Sequence, residues 1–231
     1  MANIVNKTKP VRNLVVFIIF FLMAFIFVPV GRAADDIILD GAFADWVGQS
    51  GITDPVGDAS RPFDDLTGFY FATNPDDPTA YFMAERVSSN SPLNLVLLID
   101  TNDDGVYDDP GDRYITVSYN PQGNSSSVEV MVYNGTGGFV SLVTGGSVWG
   151  ESAREGSSRV EWGVSFADLG LSAGQAIRMV LESHQGSATA DTTEEVQWSP
   201  ANALGWALIA ILVAGGATWL TRQRRQTDKP Q

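Results

Sequence analysis

The chain has 231 residues, with 14 basic and 27 acidic side chains, one histidine and no cysteine. The lack of cysteine excludes disulfides, thiolate catalysis and cysteine-ligated zinc or iron–sulfur centres, and the lone His184 excludes a multi-histidine metal site. Eight basic residues and one acid lie in the two flanks, which leaves six arginines against 26 acids, a formal charge of −20, in between; such a surface repels phosphate backbones and argues against nucleic acid as a partner.

The first element in chain order is a leader. Lys7, Lys9 and Arg12 precede an apolar run from Leu14 to Val30, and Gly31-Arg32-Ala33 fits the small-x-small rule of signal peptidase. Residues 1–33 are read as a signal peptide cleaved after Ala33, with an uncleaved anchor as the alternative.

Residues 34–185 read as one domain of short strands. "LTGFYFAT", "TAYFMAERV" and "LNLVLLI" are rich in aromatic and β-branched residues. "RYITVSY", "SVEVMVY", "RVEWGVS" and "AIRMVLES" alternate with period two. In "RVEWGVS", Val160, Trp162 and Val164 share one face, with Arg159, Glu161 and Ser165 opposite. Turn clusters such as "NPDDP", "SSNSP" and "NGTGG" separate these runs, and helix is expected only as short turns at "FADW" and "FADLG". The pattern predicts an all-β fold, an antiparallel β-sandwich of jelly-roll-like or immunoglobulin-like type.

Residues 186–202 are polar and read as a stalk. The uncharged stretch 203–220 would span about 27 Å as a helix, close to the hydrocarbon thickness, with Trp206 and Trp219 near its ends. The basic tail 221–231 follows and stays cytoplasmic by the positive-inside rule. A single-pass protein of the cell membrane is expected, with the acidic domain on the extracellular or periplasmic side.

Within the domain, "DTNDDGVYD" sets oxygen side chains at Asp100, Asn102, Asp104 and Asp108, the D-x-[DN]-x-[DN]-G spacing of a calcium loop. Gly105 permits the bend, the Val106 carbonyl is a further ligand, and Asp109 or Asp112 supplies the last carboxylate. Position twelve is Gly111 and the flanks are strands, so the loop is not an EF-hand. Calcium is the expected cofactor, in a stabilising role. An acidic hairpin turn is the alternative, since Asp, Asn and Gly favour turns.

Three segments resemble family-nine carbohydrate-binding modules and the related DOMON sandwiches. Asp40-Gly41, Asp45-Trp46 and Asp54-Pro55-Val56-Gly57-Asp58 match the opening motif, "LVLLIDTNDDG" the central strand and its acidic loop, and "VEWGVSFADLGLSAGQAIRMVLES" the late strands. The resemblance covers roughly residues 36 to 185 and implies such a domain on a single-pass bacterial surface protein. It implies a glycan ligand stacked on exposed aromatics, for which Trp149, Trp198 and Tyr133 are the candidates; Trp162 and Trp46 are read as packing residues. Some DOMON-type sandwiches hold haem between a methionine and a histidine, which offers Met83 and His184 as an axial pair. A third reading is a structural or adhesive protein whose ligand is another surface protein. No G-x-S-x-G, H-E-x-x-H or P-loop occurs, so a non-catalytic binding module is expected.

Overall fold

The computed structural model describes residues 35–75, 77–121, 127–146 and 158–200. The leader, the C-terminal stretch 203–220, the basic tail and Trp149 lie outside the described residues. Among the described residues no helix is long and apolar enough to cross a membrane.

Alternation in the sequence becomes a two-sheet sandwich. A four-stranded antiparallel sheet has the order β1 (Ser50–Thr53), β2 (Leu66–Thr73), β3 (Thr79–Arg86), β8 (Arg159–Ser165). The larger sheet has the order β10 (Ala188–Thr192), β9 (Ile177–Gln185), β4 (Leu93–Asp100), β5 (Arg113–Asn120), β6 (Ser127–Asn134), β7 (Phe139–Gly146), and β11 (Val196–Trp198) also pairs with β9. Strands β4 to β7 form one uninterrupted meander, which departs from the ABED/CFG order of the immunoglobulin sandwich. Among the described residues, helix is confined to a 3-10 turn at Phe43–Trp46 and one turn, α1, at Phe166–Leu169, capped by the Ser165 hydroxyl and ended by left-handed Gly170.

The inward residues of both sheets make the main core. Ile115 and Val117, Val128, Val130 and Val132, and Ile177, Met179 and Leu181 are all 0% exposed, facing Phe69, Phe82 and Trp162 of the small sheet. Phe82 contacts Trp162 with ring centroids 5.7 Å apart.

β3 and β8 break the simple in–out pattern. Tyr81 and Met83 point away from the main core, yet both are buried. A second apolar layer of Ile37, Phe43 and Trp46 covers them and Ala72 beside them on β2. The opening segment therefore folds across the outer face of the small sheet and buries it on both sides.

Residues 188–198 are not a stalk. β10 pairs with β9 through Thr189↔His184 and Thr192↔Glu182, and β11 through Val196↔Met179. Their sequence is polar because they line an edge, where one side faces water. A register shift between Thr189 and Asp191 turns the Asp191 side chain inward, where it is 8% exposed.

Candidate functional site

The loop after β4 closes on itself. Asp100, 0% exposed, accepts the Asp103 N–H at 2.7 Å and the Asn102 N–H at 3.2 Å on Oδ1, and the Gly105 N–H at 2.7 Å on Oδ2. Asp104 accepts the Val106 N–H at 2.9 Å and the Asn102 Nδ2–H at 3.0 Å. Asp112, also 0% exposed, accepts the Thr101 and Asp109 N–H groups, each at 3.0 Å. Asp108 is exposed, and Asp103 turns outward to Arg178 at 2.5 Å. Backbone donors thus orient the Asp100, Asp104 and Asp112 carboxylates and close the loop. Among the described residues, the acidic trio whose oxygens converge lies elsewhere, at Asp54, Asp58 and Asp191.

The aromatic candidates separate. Trp198, half-buried on β11, packs on the main core against Phe71 at 5.1 Å and Phe82 at 6.3 Å between centroids. Tyr133 stands on the outer face of the large sheet, stacked on Tyr114 at 4.9 Å and edge-on to Phe139 at 5.8 Å. The haem pairing fails on topology. Met83 points out from the small sheet beneath the opening segment, whereas His184 points out from the large sheet beside Glu182 at 2.7 Å. With the core between them, they cannot ligate one iron.

The opening motif has a mechanical role that the sequence reading missed. Glu161, 0% exposed on β8, accepts the Asp40 N–H at 2.9 Å and the Gly41 N–H at 2.8 Å on Oε1, and the Trp46 indole N–H at 2.7 Å on Oε2. Burial pushes this carboxyl up from its ordinary range, and the three donors oppose that shift. Gly41 is at φ 77°, in the left-handed region that lets the chain present consecutive N–H groups to one oxygen. The motif is a latch onto Glu161.

Beside the latch is a recess of about 230 Å³ lined by Phe43, Trp46, Tyr70, Met83, Glu85 and Arg159, with Gln49 at its rim. Tyr70 lies flat across the sheet because two glycines leave room for its ring. A Cβ on Gly51, its cross-strand partner, would come within 2.4 Å of Tyr70 Cδ1, and one on Gly68 within 2.9 Å of Cε2. Glu85 and Arg159 form an ion pair at 3.0 Å, and the Arg159 guanidinium sits 5.6 Å from the Phe43 ring centre. Burial, then the Glu85 charge, pushes the Tyr70 hydroxyl up, so it is a neutral donor at physiological pH. The recess combines a laid-down aromatic ring with a carboxylate acceptor and a guanidinium donor.

At the other end of β1, the Asp54–Asp58 turn meets Asp65 and Asp191. Asp191 accepts the Leu66 N–H at 2.7 Å and the Thr192 N–H at 2.8 Å, and Asp65 accepts the Gly57 N–H at 2.9 Å. Burial, then Asp191, Asp58, Asp65 and Glu194, pushes the Asp54 carboxyl up to about 6. A raised carboxyl favours the folded chain while protonated. That contribution is present below the ordinary carboxylate range and is lost as pH rises through about 6, so at neutral pH this end of the sandwich carries mutual repulsion.

No family model, no curated protein and no solved structure matches the chain.

Proposed function

We propose that the chain is a non-catalytic binding module for a neutral glycan, held outside the cell membrane by a single C-terminal span and a cytoplasmic basic tail. The observation that carries this reading is the Tyr70 ring laid over Gly51 and Gly68 at the recess. A pyranose has an apolar face that stacks on an aromatic ring and a rim of hydroxyls that hydrogen-bond to flanking polar groups. Glu85 accepts such hydroxyls, and Arg159 donates to ring and hydroxyl oxygens. The −20 charge of the middle of the chain disfavours acidic sugars. Among the described residues, Glu85 is the carboxylate that lines the recess, and glycoside hydrolysis in most families uses two, which favours binding without cleavage.

Isothermal titration of the full chain in detergent micelles with cellohexaose, xylohexaose and maltohexaose tests this reading. Saturable binding of at least one is expected. Tyr70→Ala should weaken it at least about tenfold, equivalent to about 1.4 kcal/mol. Gly51→Ala should weaken it too, because the added methyl displaces the ring. No heat with any of the three sugars, or full affinity in Tyr70→Ala, sinks the proposal. A second reading, a surface protein with a protein ligand, draws support from Phe139 and Leu142, 61% and 57% exposed on β7.

A further inference from the structure

We propose that Asp54, Asp58 and Asp191, with Asp65 beside them, bind a hard divalent cation of calcium's class, which ties the Asp54–Asp58 turn to both sheets. One oxygen each from Asp54, Asp58 and Asp191 lies within 4.8 Å of the others. Ligands at about 2.4 Å from a shared calcium ion are at most about 4.8 Å apart, so the three oxygens fit one coordination sphere.

The independent observation is a pair of orphaned oxygens. Asp54 is 9% exposed and its Oδ2 is buried without a hydrogen-bond partner; Asp65 is 2% exposed and its Oδ1 is likewise buried and unpartnered. A buried carboxylate oxygen with nothing to accept from is costly, and such an atom calls for a ligand that it can hold. The Gly57 N–H, inside the Asp54–Asp58 turn, donates to Asp65 at 2.9 Å and so brings Asp65 against that turn. Their other contacts orient them. The Leu66 and Thr192 N–H groups fix Asp191, and the Gly57 N–H fixes Asp65.

The donors are all oxygen, which suits calcium and not a thiophilic metal. The nearby Arg61 is directed to Asp64, with Nε at 2.6 Å from Oδ2, so its charge serves a neighbour of the cluster. Asp54 follows β1, Asp65 precedes β2, and Asp191 belongs to β10 of the other sheet. A cation held among them cross-links the two sheets at one end, in a chain that has no cysteine to form a disulfide.

The test is calorimetric unfolding of the chelator-treated full chain in detergent micelles, with and without excess calcium chloride. Calcium is expected to raise the wild-type transition by on the order of 5 °C. Asp54→Asn and Asp58→Asn should each abolish the rise. Asp54→Asn should also unfold no earlier than wild type in chelator, since it removes repulsion without emptying space. Asp104→Asn, in the loop after β4, should keep the full rise. The proposal is overturned if wild type does not respond to calcium, if Asp54→Asn and Asp58→Asn respond fully, or if Asp104→Asn loses the response.

Discussion

Replacing Glu161 with alanine is expected to cost about 3–5 kcal/mol of folding stability, because breaking a buried charged network strands its partners. The side chain is fully buried and receives donors from Asp40, Gly41 and Trp46. Without it, two backbone N–H groups and an indole N–H lose their acceptor inside the protein, and each unsatisfied donor costs about 1–3 kcal/mol. Water entering as the opening segment loosens would relieve part of that sum. Release of this segment would uncover Tyr81, Met83 and Ala72 on the small sheet. It would also remove the Phe43 and Trp46 walls of the recess. Glu161→Gln keeps an acceptor for the backbone pair but turns an amide N–H₂ toward the indole, or the reverse, so a smaller loss of about 2–3 kcal/mol is expected. Urea unfolding measures both losses. Hydrogen exchange should show faster exchange of the Asp40 and Gly41 amides in each variant. A glutamine variant as stable as wild type, with unchanged exchange, would show that the latch is idle.

Replacing Arg86 with methionine is the second large effect. Arg86 is 2% exposed at the end of β3, and burial pulls its guanidinium down from its ordinary range. It donates to the Phe63 carbonyl at 2.9 Å, the Ser89 carbonyl at 3.0 Å and the Ser91 carbonyl at 2.6 Å. One planar fork thus gathers the approach to β2 and the turn between β3 and β4, with Tyr119 at 6.0 Å below it. Methionine fills much of the volume but leaves three carbonyls without that donor, and a loss of about 3–5 kcal/mol is expected. Lysine restores the charge but not the fork, so Arg86→Lys should recover only part of the stability. Denaturant midpoints of the two variants check this order. A methionine variant within about 0.5 kcal/mol of wild type would contradict it, since that is the range of ordinary surface substitutions.

Much of the sandwich was legible because a strand with one face in the core announces itself by alternation. Ile115, Val117 and Tyr119, or Val128, Val130 and Val132, read directly as inward rows, and the structure buries all six. Most edge strands lacked that signal, although β8, the far edge of the small sheet, was read from its alternation. β1 buries little, β7 exposes Phe139 and Leu142, β10 is polar, and β11 is only three residues long, too short for the alternation of Val196 and Trp198 about Gln197 to stand out. Glu161 illustrates a different limit. Its place opposite Val160 and Trp162 was correctly readable, but alternation cannot reveal that a distant segment covers the outer face.

The site was less legible than the fold. In the loop after β4, calcium-like spacing and self-closing turn chemistry use the same residues, and the backbone hydrogen bonds to Asp100 and Asp104 appear only in three dimensions. The converging trio draws Asp191 from a segment that read as a stalk. Tyr70 had a signal, since a strand glycine marks close approach of another group, and both Gly51 and Gly68 lie under its ring. Nothing in the spacing linked those two glycines, because their pairing with the ring depends on the β1–β2 register.

The most direct test of the central claim, that the Tyr70 recess is where ligand binds, is amide chemical-shift mapping of the full chain during titration with the oligosaccharide that gives calorimetric binding. The account predicts that shifts concentrate at Gln49, Gly51, Tyr70, Glu85 and Arg159. Shifts confined to Tyr114, Tyr133 and Phe139 on the opposite sheet would contradict it.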